Sequence, residues 1–389
     1  MRITIAGAGI GGLATALSLH AAGLTDLTVH EAAPEIRPLG VGINLLPHAV
    51  RELTELGLAD RLAAIAVPTA ELAYFNRFGQ PIWSEPRGLA AGYRWPQYSV
   101  HRGELQLLLL EAVLERLGPQ AVRTGSRITG LDHDGELLIG ADGIHSAVRA
   151  ALHPGEGAPP WNGLVLWRGT TVAPPFLTGR SMIMAGDGTR KFVAYPIGDG
   201  TRINWIAEQP LPGEAPDCGN WNRPAEPAAV AAHFADWRYD WLDVPGLITA
   251  AEAVYEYPMV DREPLSCWSA DGVVLLGDAA HAMYPVGSNG ASQAILDARA
   301  LAHSLATTGA TAAYEESRRP ATTALQLANR QQGPEVVMRL AHERAPLGFT
   351  DIEAVVPLAE RTAIAEAYKR TAGFDPAVLN SRPSWSVPR

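Results

Sequence analysis

"RITIAGAGIGGLATALSLHAAGLTDLTVHEA", residues 2–32, decides the fold. Ile3 to Ala6 are a short apolar run closed by glycine, the pattern of a buried strand. Gly7, Gly9 and Gly12 complete G-x-G-x-x-G, with Gly11 as a fourth glycine inside it. Leu13 to Ala22 have helical apolar content, and Leu27 to His30 form a second strand. Glu31 closes that strand, 19 residues after Gly12. A lone glycine triplet is a weak signal, but strand, turn, helix, strand and acid in this order form a dinucleotide fingerprint. Gly7 permits the tight turn, Gly9 lets backbone approach a pyrophosphate, and Gly12 lets the helix pack on the strand. The helix N-terminus presents unpaired N–H groups to phosphate, and Glu31 suits ribose hydroxyls. An ordinary parallel α/β unit with a glycine-rich turn is the competing reading.

The fingerprint leaves NAD and FAD open. "GVVLLGDAAHAMYPVGSNGASQ", residues 272–293, narrows the choice. A buried strand, Val273 to Leu276, ends at Gly277-Asp278, and an acid there can hold the hydroxyls of a long dinucleotide. Gly287, Gly290 and Ala291 let backbone close on a flat ring. A helix beginning near Ala291 aims its positive end at that ring and favours an anionic reduced flavin. "LLIGADGIHSAVR", residues 137–149, repeats strand, glycine, Asp142-Gly143 and a helix bearing Arg149.

These three motifs, in this order, resemble the class A FAD-dependent aromatic-ring monooxygenases of the para-hydroxybenzoate hydroxylase type. The likeness runs from Met1 to about Arg330. "EIRPLGVGINLLPHAV", "WSEPRG", "PQYSVHRGELQ", "YPMVDREPL" and "GDAAHAMYPVGSNGASQAILD" resemble the phenazine-modifying members, enzymes of secondary metabolism. The resemblance implies an α/β fold: a Rossmann-like FAD-binding domain, a mainly antiparallel β-sheet substrate domain and C-terminal helices. It divides the chain into FAD-binding parts 1–70, 101–155 and 266–335, substrate-domain strands 71–100, a substrate-binding sheet 156–265 and a helical segment 336–389. It implies FAD as cofactor, with NAD(P)H as a transient co-substrate and O₂ as oxidant. A planar aromatic or heteroaromatic ring, phenazine-like or an aromatic carboxylic acid, is then hydroxylated through a flavin C4a-hydroperoxide. No second G-x-G-x-x-G is present, so NAD(P)H has no dedicated domain.

The cofactor candidates are Gly7, Gly9, Gly11, Gly12, Glu31, Ala32, Arg37, Val41, Arg102, Asp142, Gly277, Asp278, Pro285, Gly290 and Ala291. In the family an arginine at the position of Arg102 reaches the phosphates or ribityl chain, and a planar guanidinium can fork onto phosphate. Arg37 meets either the flavin edge or a surface acid. Substrate candidates are Asn44, Trp167, Arg190, Tyr195, Trp205 and Tyr284, with Arg168 as an alternative to Arg190 for a substrate carboxylate. Each has a plain structural reading: a cap for Asn44, packing for the aromatics, surface charge for the arginines. His281 reads as structural, no catalytic acid or base stands out, and no metal-ligand spacing occurs. A helix spans Pro227 to Trp237, and another continues through "YEESRRPATTALQLANRQQGPEVVMRLAHER". Between Arg123 and Gly140 the family carries a strand meander, and this chain has room for one strand, a turn at Asp134-Gly135 and "ELLIG".

Composition bounds the rest. The 389 residues are 47% hydrophobic and 19% charged, as in a globular protein of more than one core. The net charge of −10 and the lack of basic runs exclude nucleic acid as a partner. No run of some 20 apolar residues suggests a membrane span. Cys218 and Cys267 fit no redox or metal spacing, so a reduced, cytoplasmic protein, monomer or homodimer, is expected. Two other readings stay open at this level: a flavin-dependent reductase or dehydrogenase on the same fold without oxygen insertion, and a non-catalytic flavin-binding sensor.

Overall fold

The computed structural model describes residues 1–38, 40–213 and 223–387. The opening stretch forms strand Ile3–Ala6, helix Ile10–Ala21 and strand Leu27–His30, and the two strands pair in parallel from Ile3–Leu27 to Ala6–His30. The glycine spacing is sterically forced. A Cβ on Gly12 would lie 1.9 Å from the Gly7 carbonyl oxygen, and one on Gly7 would lie 2.5 Å from that of Ala141. Backbone touches backbone there, and no side chain fits.

A six-stranded sheet grows around this unit, in the order Ser269–Ala270, Val273–Leu275, Leu137–Gly140, Ile3–Ala6, Leu27–His30, Val122–Arg123. All its pairs are parallel except the edge pair of Ser269–Ala270 with Val273–Leu275. The three motif strands are consecutive neighbours. Their following loops therefore leave the sheet at one edge, the carboxyl end where doubly wound sheets bind ligands. Helices Ile10–Ala21, Arg102–Leu117 and Gly290–Thr308 bring Leu13, Leu17, Leu105, Leu109, Ile295 and Leu301 into one core with the strands. Each such leucine or isoleucine contributes roughly 1.5–3 kcal/mol by burial.

A second sheet has eight strands, in the order Arg223–Ala225, Val254–Val260, Trp161–Val172, Arg202–Pro210, Lys191–Ile197, Ser181–Gly186, Glu71–Asn76, Pro81–Pro86. It is antiparallel but for the pairing of Ser181–Gly186 with Glu71–Asn76. One face carries Trp167, Phe192 and Trp205 under the short helices Pro227–Ala232 and Val244–Thr249. The other carries Tyr74, Met182, Met184 and Tyr195. A three-stranded antiparallel sheet, Gly42–Leu45, Gln97–His101 and Ala66–Thr69, contacts both the helix Arg102–Leu117 and the strand Lys191–Ile197.

Three expectations need correction. The helix expected over Pro227 to Trp237 ends at Ala232. The long C-terminal helix does not run through: Ala312–Arg330 stops before Gln332 and Gly333, both at positive φ, and Val336–Arg344 starts anew after Pro334. Proline cannot donate to the helix, and the two left-handed residues turn the chain. Residues 124–136 form turns and bends but no strand. Three glycines and several polar residues there have little to gain from pairing. No helix among the described residues is long and apolar enough to cross a membrane. Cys218 lies outside the described residues; Cys267 is an exposed free thiol.

Candidate functional site

A cavity of about 600 Å³ opens where the Asp142 and Asp278 loops meet the second sheet. Val41, Arg102, Asp142, Asp278 and Pro285 line one side, and Leu166, Arg168 and Tyr257 line the other. At the dinucleotide end, Glu31 is clamped by backbone: Oε2 accepts from the Ala8 amide at 2.9 Å and Oε1 from the Ala33 amide at 2.8 Å. Ala32 lies half-buried between these contacts. Gln106 Nε2 donates to the Ala8 carbonyl at 2.7 Å, so the turn is held from both sides. Nothing lies within 4 Å of a Cβ built on Gly9, whereas one on Gly11 would meet Leu276 Cδ1 at 3.0 Å. The turn is packed below and open above, as an approaching pyrophosphate requires.

Gly277 has φ +59°, a conformation that disfavours any side chain. Its amide donates to Asp297 Oδ2 at 3.0 Å. Asp297 is fully buried on the helix Gly290–Thr308 and also meets His281 Nε2 at 2.5 Å and Arg318 Nε at 2.8 Å. Its carboxyl is held at about 2, because His281 and Arg318 outweigh a burial effect that alone would raise it. Asp297 therefore fixes the Gly277 turn from behind and leaves Asp278 to face the cavity. Protein surrounds Asp278, and this desolvation raises its carboxyl. More than a third of its surface still opens to the cavity, so solvent there tempers the rise. The sequence signal for Asp297 was an acid set among the apolar residues of "SQAILDARALA", and it was missed.

Asp142 lines the cavity, but its carboxylate is already engaged: Ser146 Oγ donates at 2.5 Å and the Ala147 amide at 2.8 Å. It stabilises the start of helix Ala147–Leu152. Arg149, buried, donates to the carbonyls of Ala279, Ala280 and Glu263 and pairs with Glu156. It staples the Asp142 loop to the Asp278 loop. Arg102 is exposed into the cavity and makes no ion pair among the described residues. Arg37 is exposed and pairs with Glu35 at 2.7 Å, the surface-acid alternative. Gly290 opens its helix with only Asp278 Oδ1 near a built Cβ, at 3.9 Å, and Ala291 packs on the core behind it.

The substrate candidates separate into three places. Trp167 and Trp205 face away from the cavity: Trp167 Nε1 donates to Glu256, Trp205 Nε1 to Thr171, and both belong to the core under the short helices. Strand alternation explains this, since Arg168 next to Trp167 points the opposite way, into the cavity. Arg190 does not reach it either. Asp187 holds Arg190 at 3.2 Å, and with Tyr284 it lines a separate cavity of about 330 Å³. Tyr195 packs against Gly42, next to Val41 of the wall, and neither it nor Asn44 lines the cavity. Arg168 Nη2 donates to the Gly42 carbonyl at 3.0 Å, and its Nε is buried without a partner. The Tyr195 hydroxyl lies beside Arg168 and Asn204, and burial pushes it up to about 12. Asn204 Oδ1 accepts from the Gly42 amide at 2.6 Å. Asn44 Oδ1 accepts from Ser99 Oγ at 2.9 Å, which leaves its Nδ2 buried and unpartnered.

Residues 254–326 match the family model described as FAD binding domain. The chain is 46% identical to the phenazine 1,6-dicarboxylic acid hydroxylase PhzS of Lysobacter antibioticus, over 94% of this chain and 96% of that protein. The chain belongs to the FAD-dependent aromatic monooxygenase family. It is also 32% identical to the 3-amino-4-hydroxybenzoate 2-monooxygenase of Streptomyces cremeus, over 98% of this chain and 99% of that one. Among solved structures, a variant of HpxO from Klebsiella pneumoniae complexed with FAD superposes with a TM-score of 0.75 at 26% identity, covering 97% of this chain and all of that one. The residues fit the cofactor. The open face at Gly9 and the exposed Arg102, without an ion pair among the described residues, supply what a long, anionic dinucleotide needs.

Proposed function

We propose that this FAD-dependent monooxygenase hydroxylates a planar heteroaromatic carboxylic acid, phenazine-like in shape, with NADH or NADPH as reductant. The observation that carries the reading is the meeting of two motif loops, after Gly140 and Leu275, on one cavity walled by the second sheet, with the Gly7–Gly12 turn packed against the Asp142 loop on the neighbouring strand. The high identity to a phenazine dicarboxylate hydroxylase supports the substrate class. Bound FAD supplies the redox and oxygen-activating chemistry.

The chain's own residues bind, orient and shield. Glu31 takes ribose hydroxyls with the lone pairs its two amide contacts leave free. The N-terminus of helix Ile10–Ala21 and Arg102 balance the pyrophosphate charge. Asp278 accepts from hydroxyls of the ribityl chain. Pro285 to Ala291 would bring backbone and a helix N-terminus to the flavin ring, and that positive helix end would favour negative charge on it. Arg168, held by the Gly42 carbonyl beside Tyr195, sets its positive charge at the cavity wall. We assign the protein to the cytoplasm as a monomer or homodimer; the high acidic charge favours a freely dissolved chain. Purified protein should be yellow and release FAD on denaturation. Phenazine-1-carboxylate should stimulate NADH oxidation and gain one oxygen by product mass. Release of FMN, or no stimulation by any aromatic acid, contradicts the reading.

A further inference from the structure

A second cavity, partly open and of about 20 Å³, lies at the Gly287–Ser288 turn of the flavin loop. That is room for one water or a carboxylate group. Its apolar wall is Leu46, Met182, Met184 and Phe374. Its polar wall is Tyr74 and Arg87, which are 1% and 7% exposed. Arg87 Nη2 donates to Glu85 Oε1 at 2.5 Å, and Lys369 Nζ lies 2.7 Å from Glu85 Oε2. One carboxylate thus faces two cations, so Glu85, Arg87 and Lys369 together carry one net positive charge, with Glu335 the next carboxylate toward Tyr74. Two donors in it are unspent: Arg87 Nε and the Tyr74 hydroxyl are buried without partners. Buried donors are left so where a ligand or water completes them. Burial raises Tyr74 well above its ordinary value, so its hydroxyl keeps the proton it would donate.

We propose that this cavity receives the substrate's carboxylate, held by Arg87 Nε and the Tyr74 hydroxyl, with the ring lying toward Gly287 between the two methionines. The inference rests on the heteroaromatic-acid reading and assigns the residues that would enforce it. Methionine is unbranched and adaptable, so Met182 and Met184 can yield to a flat ring. An acid neutralises the surplus positive charge; the corresponding amide does not. The chain should therefore discriminate between ligands of equal shape.

The test uses FAD-loaded protein and two probes, phenazine-1-carboxylate and phenazine-1-carboxamide, titrated by the change in flavin absorbance and by calorimetry. Wild type should bind the acid about ten- to a hundredfold more tightly than the amide, the worth of one charge-assisted hydrogen bond. Arg87→Met should abolish that preference and leave FAD affinity unchanged. Tyr74→Phe, a milder change that keeps the packing if the arginine variant does not fold, should reduce it severalfold. If the acid preference survives in both variants, or wild type binds both probes equally, the assignment is wrong while the heteroaromatic reading stands. If wild type binds neither probe, that reading falls and the assignment with it.

Discussion

Asp297 touches no cavity, yet it sets the position of the residue that does. It accepts from the Gly277 amide, His281 and Arg318 at once, and this leaves the neighbouring Asp278 turned outward. Removing one member of a buried ionic group strands its partners, at a cost of roughly 3–5 kcal/mol. Asp297→Ala should lose about that much in urea unfolding. The pH dependence has a definite sign. The folded carboxyl, at about 2, lies below its ordinary 3.8. Its contribution is complete above 3.8 and lost as pH falls toward 2, roughly 2 kcal/mol in all. Asp278→Ala should behave differently, with the fold retained and FAD binding weakened about ten- to a hundredfold, as for a lost charge-assisted hydrogen bond. Unchanged FAD affinity in a titration would mean that Asp278 only shapes its turn. The places of Asp278 and Arg102 on the cavity, and of Glu31 at the glycine turn, were legible because short motifs fix them. Arg149 was legible as part of the Asp142 motif but not as the tie to Ala279 and Ala280, and Asp297 carried no motif, because these contacts lie 130 and 20 residues away.

At the scale of elements, alternation and helix ends decide more than composition. The sequence showed that strands with Trp167, Trp205 and Tyr195 exist; it did not show which face meets the cavity. A shift of one residue exchanges the faces, and only the register of Gly169 opposite Trp205 and Arg168 opposite Ile206 settles it. The helix break at Gln332–Pro334 was written in glycine and proline but was outweighed by the flanking helical pattern. The helix Gly290–Thr308 carries a direct prediction. A Cβ at Gly290 meets only Asp278 Oδ1, so Gly290→Val should fold and still bind the ADP half. Its side chain should displace the flavin ring, and rapid-mixing experiments should show slower reduction by NADH. Normal reduction with normal coupling to product would show that this loop does not meet the flavin. A second helix bears His48, fully buried near its start, where burial and then Arg318 lower the imidazole to about 3. The unfolded chain binds a proton below about 6.5 that the folded chain refuses. Stability should therefore fall as pH drops from 6.5 toward 3, by roughly 2 kcal/mol at pH 5. His48→Gln should flatten that slope between pH 7.5 and 5 in urea melts.

Across the whole molecule the two large sheets meet at the cavity of the Asp142 and Asp278 loops, and the order of the strands, not any one residue, makes the site. Gly12, Asp142 and Asp278 are far apart in the chain but follow three adjacent strands. That much was foreseeable, because each motif carries its own strand, turn and helix. The lack of a strand between residues 124 and 136 was not, since a short polar segment gives no signal about what covers the sheet. In the proposed function this architecture uses FAD to place one atom of dioxygen on an aromatic acid. The most direct measurement is product mass from FAD-loaded protein, NADH and phenazine-1-carboxylate under isotopically labelled dioxygen. One labelled oxygen in the product, in amounts that track NADH consumed, is the predicted result. NADH oxidation that yields only hydrogen peroxide with every aromatic acid tried, or an oxygen drawn from water, would contradict it.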